Sequence, residues 1–302
     1  MKKRRLAVYG LSLVATLLLL AALYFFKEHG EKGQLDPFGQ KGGMVIRGFV
    51  FTSEKEGRVD WRIKADRAEK SLDGEEVYLE RLEGEYSPKD GVLVSFRGAG
   101  GKIDLSSGRC SVSSPRLSYD GEYHFEMDEI EIDLKESVAH TTSLLSVSGS
   151  SLDLKGQGLL GRLKEGLIAV ERNVKGSILT DNGRYRFETE RFTYDARRGT
   201  FLLEGKTRIQ GQGMNMVCER LSLLKRGAQV ERMEAEGGVR IAMEGIVATS
   251  GNALFDLKEE KIYLTESPRI AEGQLESKGD AIIYDRKTGS YLVKGPKVKI
   301  ER

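Results

Sequence analysis

Residues that commonly carry enzymatic chemistry are few and scattered in this chain. The histidines are His29, His124 and His140, and they supply neither a pair of metal ligands nor an evident base for a nucleophile. Cys110 and Cys218 lie 108 residues apart and fit no metal motif. Disulfide pairing in an oxidising compartment and burial as small core residues both remain open for them. The sequence therefore predicts no catalytic residue, no metal site and no bound cofactor.

Two glycine-rich stretches match nucleotide-binding motifs only in part. Gly156, Gly158 and Gly161 have the spacing of the dinucleotide fingerprint, but no strand–helix–strand unit surrounds them, and glycine is common in this chain, with 36 among 302 residues. GAGGK at 98–102 lacks both the spacing and the following Ser or Thr of a phosphate-binding loop. It is typical of a strand whose backbone approaches a neighbour closely.

Aspartates recur near the ends of apolar segments, where they would serve either as calcium ligands or carboxylate pairs, or as turn residues. Aspartate ahead of a segment containing Gly or Lys is ordinary turn chemistry, because its short carboxylate accepts hydrogen bonds from the backbone just after it. We therefore expect turns at these positions. The aspartates are Asp104, Asp133, Asp153, Asp195, Asp256 and Asp285.

The elements that must position these residues follow a repeat with an average spacing of about 30 residues. Segments such as FEMDEIEID at 125–133 and FETERFTYD at 187–195 begin with an apolar residue k, mostly with a small residue at k+2 and apolar residues at k+5 to k+7. A helix does not place these positions on one face, whereas a strand does so if it bends or bulges between k+2 and k+5. The k positions are Ile63, Phe96, Phe125, Val147, Phe187, Met216, Val247 and Leu275.

Segments between the bent strands, such as 75–86, 199–209 and 260–270, also have the composition of strands. The pattern predicts an all-β protein with about sixteen or more strands, an elongated antiparallel β-jellyroll whose bent strands cross between two sheets. A parallel β-helix is the structural alternative, but spacings from 22 to 40 residues argue against equal coils. A subdivision could fall in the irregular stretch 155–170.

The apolar residues of the repeat would line the interior of such a sandwich. Sequence does not distinguish a filled core from a groove that holds lipid chains, so both roles stay open for each residue. The candidates are Trp61, Ile63, Phe96, Ile103, Phe125, Ile130, Ile132, Val147, Leu152, Leu154, Phe187, Phe192, Tyr194, Leu221, Leu223, Leu254, Ile282 and Tyr284.

The N-terminal region predicts a membrane anchor. Residues 6–26 carry no charge and would span roughly 31 Å as a helix, which matches a bilayer core. Lys2, Lys3, Arg4 and Arg5 precede this segment and favour a cytoplasmic N-terminus. We therefore expect a basic tail and transmembrane helix at 1–26, a flexible tether at 27–44 and an exported β-domain at 45–302. A cleaved signal peptide is the alternative.

The charge balance argues against nucleic acid as a partner. The chain has 48 Lys and Arg against 46 Asp and Glu, and without the four basic residues of the tail the net charge changes from +2 to −2. Both signs are mixed evenly along the rest of the chain, whereas binding to phosphate backbones needs a concentrated basic face. No nucleic-acid partner is expected.

Several segments of the sequence resemble those of a known protein family. The N-terminal anchor, the tether and WRIKADRA at 61–68 are similar to LptC, the bitopic component of lipopolysaccharide export. FETERFTYDARRGTFLLEG at 187–205 and GDAIIYDRKTGSYLVKG at 279–295 look closer to the soluble LptA proteins of the OstA type. The resemblance covers nearly the whole exported part, although its motifs are degenerate and mostly report the fold.

The resemblance implies a non-catalytic lipopolysaccharide transport component in the bacterial inner membrane with a periplasmic domain. Such a protein would accept lipopolysaccharide from an LptB-LptF-LptG-type ABC transporter, hold acyl chains between its sheets and pass the lipid to an LptA-type bridge by edge-strand addition. Two alternatives from other classes are a membrane-anchored scaffold of the cell envelope that binds no lipid, and a carbohydrate-active enzyme. The enzyme would need clustered carboxylates, which the pattern does not isolate.

Overall fold

The structure is a computed structural model that describes residues 44–296, apart from residues 56, 73, 89–91, 228 and 244. All regular elements within these residues are β-strands, and no helix there is long and apolar enough to cross a membrane. The predicted anchor at 1–26 and the tether up to residue 43 lie outside the described residues. Met44, which we assigned to the tether, begins the first strand.

The described residues form 22 strands in chain order. They are β1 Met44–Lys55, β2 Arg58–Lys70, β3 Glu76–Tyr86, β4 Val94–Asp104, β5 Arg109–Ser113, β6 Arg116–Tyr119, β7 Tyr123–Met127, β8 Glu129–Asp133, β9 Val138–Gly149, β10 Leu152–Arg162, β11 Leu167–Thr180, β12 Gly183–Thr189, β13 Arg191–Asp195, β14 Thr200–Gly211, β15 Met214–Arg226, β16 Gln229–Met243, β17 Ile246–Asp256, β18 Lys261–Thr265, β19 Arg269–Glu272, β20 Leu275–Lys278, β21 Ala281–Asp285 and β22 Tyr291–Lys294.

The strands make a single antiparallel meander of bent rungs. A rung is either one long strand, such as β2 or β15, or two short strands in succession, such as β7 with β8 or β12 with β13. Each rung pairs with the rungs before and after it in the chain, as β14 does with β13 and β12 on one side and β15 on the other. Sequential antiparallel pairing needs only short turns, which explains the Gly- and Asp-rich connections.

Apart from β22, of which four residues are described, each rung bends in the middle. In many rungs the inward-pointing residues follow one alternation before the bend and the opposite alternation after it. In β15 the buried residues include Met216 and Cys218 before the bend, and Leu221 and Leu223 after it. The pairing register between β14 and β15 shifts at this point, as a bulge requires. The same change occurs in β2, β4, β10 and β17, so the bent strands predicted from the repeat are confirmed.

Other rungs bend at residues with positive φ and keep their parity. In β16 the bend contains Gly237 and Gly238, whose φ values are +78° and +57°, and it lies between the buried Ala235 and Val239. Only glycine takes up this conformation without a steric penalty. The glycine content of the chain therefore serves the bends as well as the turns.

The two halves of the rungs form two sheets that face each other. Sheet I contains β6, β7, β12, β19 and β20 with the matching halves of the long strands, and sheet II contains β5, β8, β13, β18, β21 and β22 with the other halves. The inward residues of both sheets form one core that extends from Trp61 to Tyr284. Within the described residues, β1 borders one end of the meander, and β20 and β22 border the other.

Three positions of the predicted repeat were wrong. Val147 in β9 pairs with Leu154 in β10 across a hairpin, so the two residues lie on successive rungs and not on one bent strand. Val247 is half-buried because its neighbour Ala248 points inward. Leu275 is 71% exposed in β20. Around Val147 and Val247 the residues on both strand faces are apolar or small, so a slip of one residue still satisfies the pattern.

Residues 155–170, where a subdivision could fall, lie in the hairpin formed by β10 and β11. Both strands also pair with their other neighbours, β9 and the β12–β13 rung. The meander therefore passes through this stretch without a break in the pairing.

Five of the six aspartates shape turns at the outer ends of sheet II. The Asp256 carboxylate accepts hydrogen bonds from the backbone N–H groups of Lys258 and Glu259 at 3.1 and 2.9 Å. The same arrangement recurs at Asp104, Asp133 and Asp285, and Asp195 accepts one such bond, from the Arg198 N–H group. Asp153 differs, because it lies in β10 and pairs at 3.0 Å with Arg184 in β12, on the far side of β11. The predicted turn role is confirmed for the other five.

Close backbone approach in sheet I makes one glycine sensitive to substitution. A Cβ atom at Gly176 would lie 2.4 Å from the Asp153 carbonyl oxygen and 2.7 Å from the ring of Phe187, its cross-strand neighbour. Because a backbone oxygen cannot move aside easily, we expect Gly176→Ala to lower the free energy of unfolding by about 1–3 kcal/mol. Urea denaturation measures this, with Ser222→Ala on the outer face as the control, expected within about 0.5 kcal/mol of wild type. Equal stability of the two variants would contradict the close approach.

Candidate functional site between the sheets

Most side chains that we expected to line the interior are buried between the two sheets. Tyr194 is partly buried and packs against the core. Leu254 is an exception and a correction, because its neighbours Ala253 and Phe255 are buried and Leu254 therefore lies on the outer face of β17. The buried residues of the predicted set are Trp61, Ile63, Phe96, Ile103, Phe125, Ile130, Ile132, Val147, Leu152, Leu154, Phe187, Phe192, Leu221, Leu223, Ile282 and Tyr284.

The interior is nearly filled by these side chains. A cavity of about 30 Å³ lies between the sheets in the N-terminal half, lined by residues of both sheets such as Trp61, Phe96 and Phe125 of sheet I and Ile132 and Ile168 of sheet II. This volume is roughly that of one water molecule. In this conformation the cavity has no room for an alkyl chain, so lipid would enter only if the sheets move apart.

Aromatic rings connect the two sheets near the middle of the chain. The ring of Tyr123 in sheet I lies 5.3 Å from that of Tyr194 and 6.4 Å from that of Phe201, both in sheet II. Tyr119 of sheet I contacts Tyr194 edge to face, with ring centroids 6.1 Å apart. Such tilted and edge-to-face pairs contribute about 0.5–1.5 kcal/mol each beyond their buried area. These four side chains are named the aromatic cluster.

The sheets are joined by the bends on one side, and polar contacts join them on the other side, here called the open side. Asn182 in the β11–β12 turn donates a hydrogen bond of 2.8 Å to the Leu257 carbonyl oxygen after β17. Arg286 after β21 donates one of 3.2 Å to the Gln212 carbonyl oxygen. Lys225 near the end of β15 pairs with Glu122 in the β6–β7 turn. Each contact joins a turn or strand end of sheet I to one of sheet II.

The Lys225–Glu122 pair is the most enclosed of these contacts. The Lys225 Nζ lies 2.5 and 2.6 Å from the two carboxylate oxygens of Glu122, and 2.9 Å from the Tyr123 hydroxyl. It also lies 5.1 Å from the centroid of the Tyr123 ring. The Lys225 side chain is only 6% exposed, whereas that of Glu122 is 26% exposed and also accepts a hydrogen bond from Ser150. We call this pair the latch.

Burial and charge shift the pKa values of the groups around the latch. Burial raises the pKa of Glu122, but hydrogen bonds from Lys225 and Ser150 and the charge of Lys225 outweigh burial, so the net pKa is below its ordinary value. Burial raises the pKa of Tyr194 to about 12 and also raises that of Tyr123. Glu122 is therefore ionised at neutral pH and the tyrosine hydroxyls are protonated donors.

The remaining candidate residues form no common site. Cys110 in sheet II and Cys218 in sheet I are buried free thiols, and burial raises the pKa of each to about 12. His124 and His140 are exposed on different sheets, and His29 lies outside the described residues. No group of three His, Cys, Asp or Glu side chains that could hold a metal ion occurs in the part of the chain that the structure describes.

Sequence reasoning missed the latch. Its two residues are 103 positions apart and belong to different sheets, so no local pattern joins them. One signal was present, because Leu221, Leu223 and Lys225 alternate along β15 and the lysine occupies an inward position. A charged residue at the end of an apolar alternation could have indicated a buried ion pair.

Together these features define an all-β sandwich of two antiparallel sheets with an apolar interior and a polar open side. Residues 187–290, about a third of the chain, match the sequence model of a family described as LptA/(LptD N-terminal domain) LPS transport protein. The matched segment extends from β12 to the turn before β22. This part of the chain is therefore similar to a lipopolysaccharide transport domain of the LptA type.

Similar solved structures include LptH from Pseudomonas aeruginosa, described as the LptA homologous periplasmic component of the lipopolysaccharide transport device. The match has 11% sequence identity and a TM-score of 0.35, and it covers 37% of this chain and 82% of the LptH chain. No curated protein is detectably similar in sequence. The LptC-like character of the first half stays a prediction.

We expect the latch residues to be energetically coupled. Loss of either partner leaves the other charged group without its hydrogen bonds, so Lys225→Met, Glu122→Gln and the double variant should give a coupling energy of about 1.5–3 kcal/mol in urea denaturation. The control is the pair Arg81 and Asp66, which are 2.6 Å apart but 75% and 61% exposed. Their coupling should stay below about 1 kcal/mol. Equal coupling in both pairs would show that the latch is not enclosed.

The pKa of Glu122 also predicts a pH dependence. Since the pKa is lowered in the folded state, the stabilisation by Lys225 is present above the pKa of an unfolded glutamate, about 4.3, and is lost as the pH falls through the lower folded value. The difference in unfolding free energy between wild type and Lys225→Met should therefore shrink from pH 6 to pH 3.

The matched control is the same comparison in a Glu122→Gln background, which should not vary in this range. The other titratable groups around the pair, Asp120, Tyr123 and Tyr194, are common to all four proteins. A pH dependence that is equal in the two backgrounds would assign the effect to another carboxylate.

Proposed function

We propose that this chain is a non-catalytic component of lipopolysaccharide transport that holds acyl chains between its two sheets. The observation that carries the proposal is the match of residues 187–290 to the LPS transport family, in the same segment that forms rungs of the two-sheet sandwich. The protein is anchored in the bacterial inner membrane by residues 1–26, and its β-domain lies in the periplasm. It moves lipid without changing covalent bonds.

The inner faces of the sandwich suit an alkyl ligand. Phe125, Phe187 and Ile178 of sheet I and Phe192 and Leu203 of sheet II point into the same apolar core. Each methylene that moves from water to this interior contributes about 0.8 kcal/mol. The sugars of a bound lipopolysaccharide would remain in water at the open side, where the two sheets are not joined by bends.

Passage of lipid along the molecule needs neighbours at both ends of the meander. We propose that the chain receives lipopolysaccharide from an LptB-LptF-LptG-type ABC transporter in the inner membrane and passes it to an LptA-type bridge protein. The edges at β1 and at β20 and β22 carry the backbone groups for strand addition. On the outer face, Leu254, Tyr263, Ile283 and Leu292 stand opposite one another on successive strands, and Leu292 at the edge is 58% exposed. An added strand would extend this row.

A second candidate function is a membrane-anchored scaffold that binds protein partners but no lipid. The nearly filled interior favours it, because the cavity of about 30 Å³ would be expected of a packed core. Under this hypothesis the edges serve assembly and the interior only stability. The two functions differ in whether lipid enters between the sheets.

Photo-crosslinking in cells tests the lipid-holding function. We expect a photoreactive amino acid at Phe187, which is 2% exposed between the sheets, to capture lipopolysaccharide. The same group at Glu188, the adjacent residue on the outer face, should not do so. Immunoblots of the irradiated, purified protein with an antibody to lipopolysaccharide measure the adduct.

Phe192, at 3% exposure in sheet II, provides a second interior position and should behave as Phe187 does. Thermal unfolding of each variant confirms that it is folded before cells are irradiated. Equal adducts at the interior and outer positions, or adducts at neither, would contradict lipid binding between the sheets and favour the scaffold.

A further inference from the structure

Lys225 is unusual because it is the only charged residue that is buried among those that the structure describes. It follows Leu221 and Leu223 on the inward face of β15, so its ammonium group ends at the border between the apolar interior and the open side. A buried ammonium is strongly destabilising without an anion beside it. Any rearrangement of the sheets must therefore keep an anion on Lys225 or expose it to water.

The anion that Lys225 has in this structure comes from the opposite sheet and is better placed to leave. Glu122 lies in a turn and its side chain is 26% exposed, against 6% for Lys225. If the open side widens at this point, the carboxylate can turn into water, while Lys225 still faces the interior. The pair therefore closes the open side at this point, and another anion could take the place of the Glu122 carboxylate on Lys225.

One buried hydroxyl group near the latch, that of Tyr119, is free to form a hydrogen bond. The Tyr119 hydroxyl is buried and has no hydrogen-bond partner among the described residues, with the residue 3% exposed. The Tyr119 ring packs on Tyr194, and the Tyr194 ring packs in turn on Tyr123, whose hydroxyl oxygen accepts a hydrogen bond of 2.9 Å from the Lys225 ammonium. Tyr119 also lines the cavity between the sheets. A buried hydroxyl without a partner is costly, so a ligand oxygen there would be favourable.

We propose that Lys225 is the binding site for the anionic group of an amphiphile whose alkyl chain lies between the sheets, and that Glu122 occupies this site in the closed state. The inference rests on the proposed function, because it requires alkyl chains in the interior. It adds the chemical class of ligand, a phosphate or carboxylate close to its alkyl chain. It also gives Glu122 a role as an internal competitor.

Exchange of one anion for another predicts that an anionic amphiphile binds more tightly than a neutral one. When the ligand's anion replaces Glu122, Lys225 stays paired and the carboxylate gains water. When a neutral amphiphile enters, either Glu122 stays and the open side remains closed there, or Lys225 loses its partner. Removal of the competitor should therefore strengthen binding of anionic amphiphiles, and removal of the cation should abolish the preference.

Trp61 provides a direct readout, since it is the one tryptophan of the chain and lines the cavity between the sheets. Bromine on an alkyl chain quenches tryptophan fluorescence on contact. The full chain in a neutral detergent is titrated with three probes of equal chain length: 11-bromoundecyl phosphate, 11-bromoundecanoic acid and 11-bromoundecyl maltoside. The phosphate and carboxylate probes distinguish the two kinds of anion.

For the wild type we expect half-maximal quenching at a concentration at least tenfold lower with an anionic probe than with the maltoside. Lys225→Met should remove this difference and Lys225→Arg should retain it, which separates loss of the cation from misfolding. Glu122→Gln should lower the half-maximal concentration of the anionic probes further. The control Lys102→Met removes an exposed lysine that pairs with Glu76 at 2.6 Å on the outer face, and it should behave as the wild type does.

The outcomes separate this inference from the proposed function. If the three probes quench the wild type and Lys225→Met equally, the interior accepts chains but Lys225 binds no anion, and the inference is overturned alone. If no probe quenches Trp61 in any variant, the interior accepts no chain and the proposed function fails together with the inference. A preference that Lys102→Met also removes would assign it to general surface charge.

Discussion

The bend in each rung is the constraint on which the rest of this structure depends. A straight strand directs alternate residues to opposite faces, so one sheet would expose half of the apolar residues or need a second chain to cover them. By bending, each rung contributes to two facing sheets. In β15 and β17 a three-residue step restores the inward direction after the bend, and in β16 Gly237 and Gly238 allow the turn of the backbone without that step. The core, the open side and the turns all follow from this geometry.

The bends also make the two long sides of the sandwich unequal. One side is covalently continuous, because the bent rungs pass through it, while the other is held by side chains and turns. Polar contacts cost little there, because water reaches the turn residues and forms hydrogen bonds with polar groups that have no partner in the protein. Asn182 and Arg286 use backbone carbonyl groups of the opposite sheet, and Lys225 uses a carboxylate. The side that separates most easily is thus also the side that carries charge.

The fold was largely predictable from the sequence, whereas the open-side contacts were not. Bent strands and turn aspartates such as Asp256 follow from local spacing, and these predictions were confirmed. Leu254 was assigned to the wrong face because Ala253, Leu254 and Phe255 are all apolar, and alternation cannot be read from such a run. The latch depends on which turns face each other across the sandwich. Which turns face each other depends on how far one sheet is displaced relative to the other. This displacement results from the bends and pairing registers of many rungs together, so no short segment of sequence predicts it.

A filled interior does not by itself exclude lipid binding, and the magnitudes show why. An alkyl chain of twelve carbons contributes of the order of 10 kcal/mol when it leaves water. Loss of the hydrogen bonds between Lys225 and Glu122 costs about 1.5–3 kcal/mol. If side chains such as Phe187 and Phe192 exchange contacts with each other for contacts with the chain, their apolar surface stays buried while the sheets part. The larger opposing term is then the strain of widening bends that are continuous with every rung. Glycines with positive φ, as in the bend of β16, lower that strain, because they have no Cβ atom to clash when the backbone adjusts.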